Sequence, residues 1–341
     1  MRYLRNHNTN PYFNMAFDEY ALQELSLEEP LFYLWQNRPA VIVGLNQNAY
    51  AEVNLDYLQS NNIALVRRVT GGGAVYHDLG NLNYTIVGRT KDLDRDYPEY
   101  TQYVLRALQA LGVKAELSGR NDILVDGRKV SGYAKRVYKD RLMVHGTLMF
   151  DVDLEVLEQA LNAPTGKLAA KGVASVRSRV MNLHECLPNV NNIADFSERL
   201  ERYLSRDYHD TEVQLSSEDL QRIESSARNK FATTEWIFGT DATPITSKSS
   251  DTIYQINNAK RLTCGTVEVK LNIQNGYISA CQFDGDFIGN LPATYLSEAL
   301  VGVRYEANAL RQRLLPINLT SYFDGIEIDS LLNLLFPSNP Q

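Results

Sequence analysis

The apolar positions of this chain change period several times, and each change marks an element. From Asn14 to Leu25, Phe17, Ala21 and Leu25 recur at helical spacing behind a candidate cap, Asn14, which predicts an amphipathic helix. Leu31 to Trp35, Ala40 to Gly44, Ile63 to Val66 and Leu82 to Val87 are short β-branched or aromatic runs bounded by Asn, Gly and Pro, and they predict sheet. Glu99 to Leu111 returns to helical spacing, with Val104, Leu108 and Leu111 on one face and Gly112 just past the end, the favoured residue for a helix stop.

Two hairpins follow. Asp126-Gly127 joins Asp122–Val125 to Arg128–Gly132 through a dipeptide that accepts positive φ at both turn positions. A two-residue loop pairs Val125 with Arg128, Leu124 with Lys129, Ile123 with Val130 and Asp122 with Ser131. Asp122, Lys129 and Ser131 are thus expected on one face, and Ile123, Val125 and Val130 on the other. The second hairpin turns near Lys139-Asp140 into Leu142 to Phe150, where strand alternation puts His145 and Thr147 on a common face. A helix is expected from Asp153 to Leu161.

Residues 164–182 carry Lys167, Lys171, Arg177 and Arg179 with no acidic residue, and Pro and Gly interrupt them, which reads as a basic, mobile loop. Helical patterns resume at 194–205 and 217–230, and 240–252 is the most linker-like stretch. Two domains are therefore expected, 1–245 and 250–341. In the second, Val267, Val269, Leu271 and Ile273 alternate up to Asn275-Gly276, a hairpin turn into Tyr277 to Phe283. Leu291 to Leu300, Glu306 to Leu314 and Ile328 to Leu335 then look helical.

Composition narrows the function classes. At 341 residues the chain accommodates one large domain and a smaller one, and 44% hydrophobic with 22% charged residues is ordinary for a globular protein. No apolar run approaches the roughly 20 residues of a membrane span, and Met1 to Asn10 lacks an apolar export core. Cys186, Cys264 and Cys281 are widely spaced and form neither a disulfide framework nor a zinc pattern. A soluble cytoplasmic protein is expected. The net charge of −7 argues against general nucleic-acid binding.

Candidate chemistry sits in three places. Arg67-Arg68-Val69-Thr70-Gly71-Gly72-Gly73-Ala74-Val75-Tyr76-His77-Asp78 joins two expected strands through three glycines. Such a loop is either a flexible turn beside a solvated arginine pair or a cradle of backbone N–H groups for an anion. It is neither a P-loop nor a GxGxxG fingerprint. Lys129 reads as a solvated edge charge or, beside Asp122, as an ammonium held near a phosphate and a metal. His145 reads as a core histidine or, with Thr147, as part of a site.

Four segments in order, RRVTGGGAVYHDLGNLNY (67–84), SGRNDILVDGRKVSGYAKR (118–136), HGTLMFDVDL (145–154) and KGVASVRSRVMNL (171–183), closely resemble the lipoate-protein ligase family of the biotin and lipoate ligase superfamily. Weaker similarity runs from NMAFDEY (14–20) to the linker, and the C-terminal part looks like the family's accessory domain. The resemblance implies an α+β fold: a class II synthetase or biotin ligase-like catalytic domain with a mixed sheet, plus a small α+β accessory domain. It implies an ATP-dependent enzyme that activates lipoate as lipoyl-AMP and transfers it to a lysine of lipoyl domains, those of 2-oxoacid dehydrogenase E2 subunits or the glycine cleavage H protein.

Roles follow by position. ATP is expected at Arg68, Gly71, Gly72, Gly73, Ala74, Val75, Tyr76, Asn121, Asp122 and Lys129, with Mg²⁺ at Asp122. Lipoate is expected at Arg68, Gly73, His77, Lys129, His145 and Gly146, with Lys129 catalytic. Lys171, Gly172, Ser175, Val176, Arg177 and Arg179 match the family's adenylate-binding loop, which closes over the intermediate and excludes water. The alternatives are an ATP-independent octanoyl or lipoyl transferase with a cysteine nucleophile, a non-catalytic lipoate-binding protein, and a biotin ligase. No cysteine occupies a recognisable nucleophile position. Arg128, Lys129, Lys135, Arg136, Lys139 and Arg141 are expected to steer an acidic partner domain.

Overall fold

A computed structural model describes residues 1–119, 121–162, 179–205, 212–239 and 253–336. The chain divides into two compact units. The larger comprises Met1–Val43, Ala49–Val69 and Val75–Ile237; the smaller joins Phe238–Gln341 to two short stretches of the first half, Gly44–Asn48 and Thr70–Ala74.

In the larger unit the strands are β1 (Arg2–Arg5), β2 (Leu31–Trp35), β3 (Ala40–Val43), β4 (Ala64–Arg67), β5 (Val75–His77), β6 (Asn81–Arg89), β7 (Ala115–Ser118), β8 (Asp122–Val125), β9 (Arg128–Tyr138) and β10 (Arg141–Met149). Seven of them form one mixed sheet in the order β1-β2-β6-β10-β9-β8-β7, and β4-β3-β5 form another. Only a mixed sheet suits this chain order: β1 runs parallel to β2, whereas the hairpin-linked strands β8, β9 and β10 pair antiparallel. With the helices around them, these sheets make the expected α+β architecture.

The large sheet is covered on both sides, so β6 is buried almost end to end. Leu82, Tyr84 and Ile86 meet Val104, Leu108, Phe196 and Leu200 from the helices Leu93–Ala110 and Ile193–Leu204. The other side carries Val87 and Met143 against Phe17, Ala21 and Leu22 of α1 (Pro11–Gln23). Each Val, Leu, Ile, Phe or Met among them contributes about 1.5–3 kcal/mol on burial. Toward α1, however, the apolar face gives way to Asn81, Asn83 and Thr85, all buried.

Three local expectations change. The first helix is capped by Asn10, whose side chain accepts from Tyr12 N, and Pro11 fills the first turn, where its missing N–H costs nothing. Asn14 lies inside the helix and is buried. The helix expected from Glu99 begins at Leu93 and contains Pro98. In the β8/β9 hairpin, Val125 and Leu124 pair as expected, but the register shifts at Ile123, so Ile123 faces Ser131 and Asp122 faces Gly132. One extra residue in β9 produces this bulge, which no turn dipeptide encodes.

The smaller unit holds a meander of β11 (Ile253–Leu262), β12 (Gly265–Gln274) and β13 (Tyr277–Asp284). Val267, Val269, Leu271 and Ile273 pack against Leu296, Leu300, Leu310 and Leu331 of the helices Thr294–Leu300, Ala307–Leu314 and Ile328–Leu335. The Asn275-Gly276 turn has the expected positive φ values, 53° and 82°. Within this unit Asn46 O accepts from Gly285 N at 3.0 Å, and Phe287 O accepts from Gly72 N at 3.3 Å. No helix among the described residues is long and apolar enough to cross a membrane.

Candidate active site

The β8/β9 hairpin presents Lys129. Its Nζ stands 2.7 Å from Asp122 Oδ1, off the direction of a good hydrogen bond, and both side chains are about one-third exposed. A pair that exposed adds only about 0–1 kcal/mol of stability, so its value lies in placing a cation. Gly132 makes the placement possible. A Cβ built there would lie 2.8 Å from Lys129 Nζ and 2.9 Å from Cε, so the ammonium reaches Asp122 across a position without a side chain. The bulge aligns Asp122 with Gly132. It also turns Ser131 into the buried interior, away from the face expected from a regular register.

Neighbouring groups hold this hairpin. Asn121 and Tyr133 are joined by two bonds, Tyr133 N donating to Asn121 O at 2.9 Å and the Asn121 side-chain Nδ2 donating to Tyr133 O at 3.0 Å. Thr147 Oγ1 accepts from Gly132 N at 3.2 Å. Asn121 and Thr147 thus brace the strands beside Lys129. Met181 N, at the C-terminal end of the basic segment, donates to Lys129 O.

A second cluster is buried between the sheet and α1. Asp18, fully buried, accepts from Tyr33 Oη (2.6 Å) and Thr85 Oγ1 (2.9 Å) at Oδ1, and its Oδ2 lies 2.6 Å from His145 Nδ1. A carboxylate only accepts, so His145 Nδ1 carries the proton. Thr85 accepts in turn from Trp35 Nε1 at 3.0 Å. Burial and then the Asp18 charge push the Tyr33 phenol well above its ordinary value. His145 faces Thr85 across the strand pair and Thr147 faces Asn83, which gives the common face expected for the two β10 residues. Gly146 points to the opposite side, where the Tyr84 ring occupies the space of a Cβ.

His77 lies in the same neighbourhood, edge-on to Trp35 at 6.0 Å. Burial chiefly, then the charges of Arg68 and His145, bring its imidazole down to about 3, so it is neutral at physiological pH. Its Nδ1 is 3.1 Å from Asn37 Nδ2. Sequence reasoning missed Asp18, Asn37, Asn81, Asn83 and Thr85. A signal was available: polar residues at 81, 83 and 85 alternate inside a strand otherwise apolar on both faces.

The arginine pair is not solvated. Both side chains are buried. Arg67 Nε donates to Trp236 O and Ile237 O at 3.0 Å, and Trp236 Nε1 returns a bond to Arg67 O at 2.9 Å. Arg68 donates to Ile42 O at 3.2 Å. Burial and then Arg67 bring the Arg68 guanidinium down to about 10, which leaves it a cation at neutral pH. Burial, then Asp78 and Asp153, raise the Tyr76 phenol.

In the glycine loop, a Cβ on Gly71 would stand 2.4 Å from Phe287 O, and Gly72 has φ +95°. Gly73 is under neither constraint, and Ala74 closes the segment assigned to the smaller unit. Lys171, Gly172, Ser175, Val176 and Arg177 lie outside the described residues; Arg179 is exposed. Among the three cysteines, burial raises the Cys186 thiol and pushes Cys281 up to about 12, and Cys264 is buried.

The basic steering residues are largely engaged with their own chain. Arg136 Nη1 donates to Val69 O at 2.6 Å and Arg141 Nη1 to Leu25 O at 2.7 Å. Arg128 pairs with Glu185 at 3.4 Å, and the Lys135 ammonium lies 4.4 Å over the Tyr97 ring.

The larger unit is thus a mixed-sheet α+β body with a cation on a hairpin and a buried histidine–carboxylate cluster. Known proteins give the class. The model of the lipoyl protein ligase A/B catalytic domain matches residues 10–205, and that of the bacterial lipoate protein ligase C-terminus matches residues 252–335. The chain belongs to the lipoate-protein ligase family and is a ligase. Lipoate-protein ligase LplJ of Bacillus subtilis strain 168 is 36% identical over 98% of this chain and 100% of its own. A bipartite lipoate protein ligase of Thermoplasma acidophilum, described with its E2 lipoyl domain, is 29% identical with a TM-score of 0.63, covering 72% of this chain and 98% of that one. A lipoate-protein ligase A bound with ATP is also 29% identical, with a TM-score of 0.61, covering 70% and 98%.

Proposed function

We propose that the chain activates lipoate with ATP and passes the lipoyl group to a lysine of lipoyl domains, Lys129 being the catalytic cation. The observation that carries this reading is the Lys129 ammonium held 2.7 Å from Asp122 above Gly132. In the first half-reaction a lipoate carboxylate oxygen attacks the α-phosphorus, the bond to the β-phosphate oxygen breaks, and pyrophosphate leaves. Negative charge grows on the α-phosphate, and a preorganised ammonium lowers that barrier. In the second, the acceptor ε-amine attacks the acyl carbon, the bond to the AMP oxygen breaks, and the amine proton is released.

The remaining assignments belong to the same reading. Arg68, Gly71, Gly72, Gly73, Ala74, Val75, Tyr76, Asn121 and Asp122 bind ATP. Arg68, Gly73, His77, His145 and Gly146 take lipoate, and Lys171 to Arg179 close over the adenylate. Asp122 would hold Mg²⁺ through its one carboxylate, and the ion would offset the charge of the ATP phosphates. Residues 1–245 carry the chemistry and 250–341 the accessory role. The acceptors are 2-oxoacid dehydrogenase E2 subunits or the glycine cleavage H protein, and the setting is cytoplasmic. The raised thiols of Cys186 and Cys281 count against a cysteine-based transferase.

The test is pyrophosphate release and acceptor lipoylation with lipoate and Mg·ATP, in wild type and Lys129→Ala. Lipoate-dependent release lost in the variant supports the ligase. Transfer from an acyl-carrier donor without ATP, lost in Cys186→Ser, overturns it.

A further inference from the structure

A buried chain of amide side chains leads to His77, and its donor direction is fixed. Asn14 Nδ2 lies within 2.9 Å of Asn8 O and 3.0 Å of Gln36 O, and its Oδ1 lies 2.8 Å from Asn6 Nδ2. Backbone carbonyls only accept, so the Asn14 amide nitrogen must face them. That nitrogen also lies 2.8 Å from Asn37 Oδ1; its two protons serve three oxygens, one of them shared, and with a nitrogen on that side only the Asn37 oxygen, not its NH₂, can face it. Asn37 therefore presents its oxygen to Asn14 and its Nδ2 to His77 Nδ1, 3.1 Å away. His77 Nδ1 accepts, and in a neutral imidazole the single proton then sits on Nε2.

His77 Nε2 is buried and meets no hydrogen-bond partner among the described residues. Buried donors are almost always paired, so an N–H held in place and left unmet by the described residues is set to receive an acceptor atom. Trp35 flanks the ring, and Arg68 and His145 act on it electrostatically. His145 is set the other way, its proton on Nδ1 toward Asp18. The two imidazoles thus present different faces by construction.

We propose that Asn37 is a positioning residue: accepting from Asn14 and donating to His77 Nδ1, it fixes the Nε2–H tautomer, whose N–H takes an acceptor atom of the acyl substrate. This rests on the lipoate reading above. The acceptor is a carboxyl oxygen at one end of lipoate or a dithiolane sulfur at the other.

The tautomer is read directly from ¹⁵N-histidine NMR spectra of the full chain, with no substrate needed. The expected spectrum shows protonated Nε2 and bare Nδ1 for His77; the reverse overturns the proposal. Added lipoate shifts the Nε2–H signal. An equal shift with octanoate places the acceptor at the carboxyl end, a shift with lipoate alone places it at the dithiolane, and no shift with either overturns the substrate contact. Asn37→Asp presents an oxygen to Nδ1, so the proton moves there and KM for lipoate rises roughly tenfold, the scale of one hydrogen bond, with KM for ATP unchanged. An unaltered lipoate KM in a folded variant overturns the role of Asn37. Should that variant not fold, the wild-type spectra still decide. A wild-type enzyme that shows the Nε2–H tautomer yet releases no pyrophosphate with lipoate refutes the ligase reading; normal release with the wrong tautomer refutes this one.

Discussion

Gly132 and Lys129 share one space: the Cβ that Gly132 lacks would lie 2.8 Å from the Lys129 ammonium. Because the crowded atoms are the far end of a flexible side chain, Gly132→Ala displaces the lysine and leaves the strands in place. Misplacing a catalytic group by about 1 Å costs up to about 100-fold. Pyrophosphate release is therefore expected to fall about 10- to 100-fold while the melting temperature moves by no more than a few degrees. A variant as active as wild type would show that the ammonium has no fixed post.

Asp18 accepts bonds that begin on β2, β6 and β10. Asp18→Ala leaves three buried donors unmet, each at about 1–3 kcal/mol before relaxation. Urea denaturation is expected to give a loss of at least about 2 kcal/mol, with Asp18→Asn intermediate. A stability equal to wild type would mean that water enters and replaces the carboxylate.

Adjacent arginines divide their work. Arg67 ties the carbonyls of Trp236 and Ile237, so Arg67→Met is expected to cost about 1.5–3 kcal/mol of stability, the range for bonds to a charged group. Arg68→Met is expected to act on substrate binding. Chemical denaturation and KM measured on the same two preparations separate the effects; interchanged phenotypes would reverse the assignment.

His77 gives the pH dependence of folding a sign. Its folded value, about 3, lies below the unfolded value near 6.5. The unfolded chain thus binds the extra proton, and the stability held above pH 6.5 is lost as pH falls toward 3. Between pH 7 and pH 5 wild type should lose about 2 kcal/mol more than His77→Gln. Parallel stability curves for the two proteins would refute a buried neutral ring.

The legible parts of this fold were those whose side chains report their own surroundings. The Asp126-Gly127 and Asn275-Gly276 turns and the helix Ile328–Leu335 declare themselves through positive φ or periodic leucines. The β9 bulge did not, since Val130 and Ser131 are both buried and alternation cannot tell which is the extra residue. Strands β1, β5 and β7 span only three or four residues, too few for a period to emerge. The Lys129–Asp122 contact was legible from hairpin pairing, although Asp122 pairs with Gly132 and not with Ser131. Asp18 was not, because its three partners arrive from strands distant in sequence. Arg67 looked like surface charge because its carbonyl acceptors lie near residue 237.

The smaller compact unit is built from three separate stretches of chain, Gly44–Asn48, Thr70–Ala74 and Phe238–Gln341. A protease that cuts once within 240–252 therefore does not release it whole. Two of its stretches remain covalently part of the N-terminal fragment, and the C-terminal fragment leaves without the partners of Gly285 and Phe287. In topological terms the chain passes between the two bodies five times, and no single bond exists whose scission yields both intact.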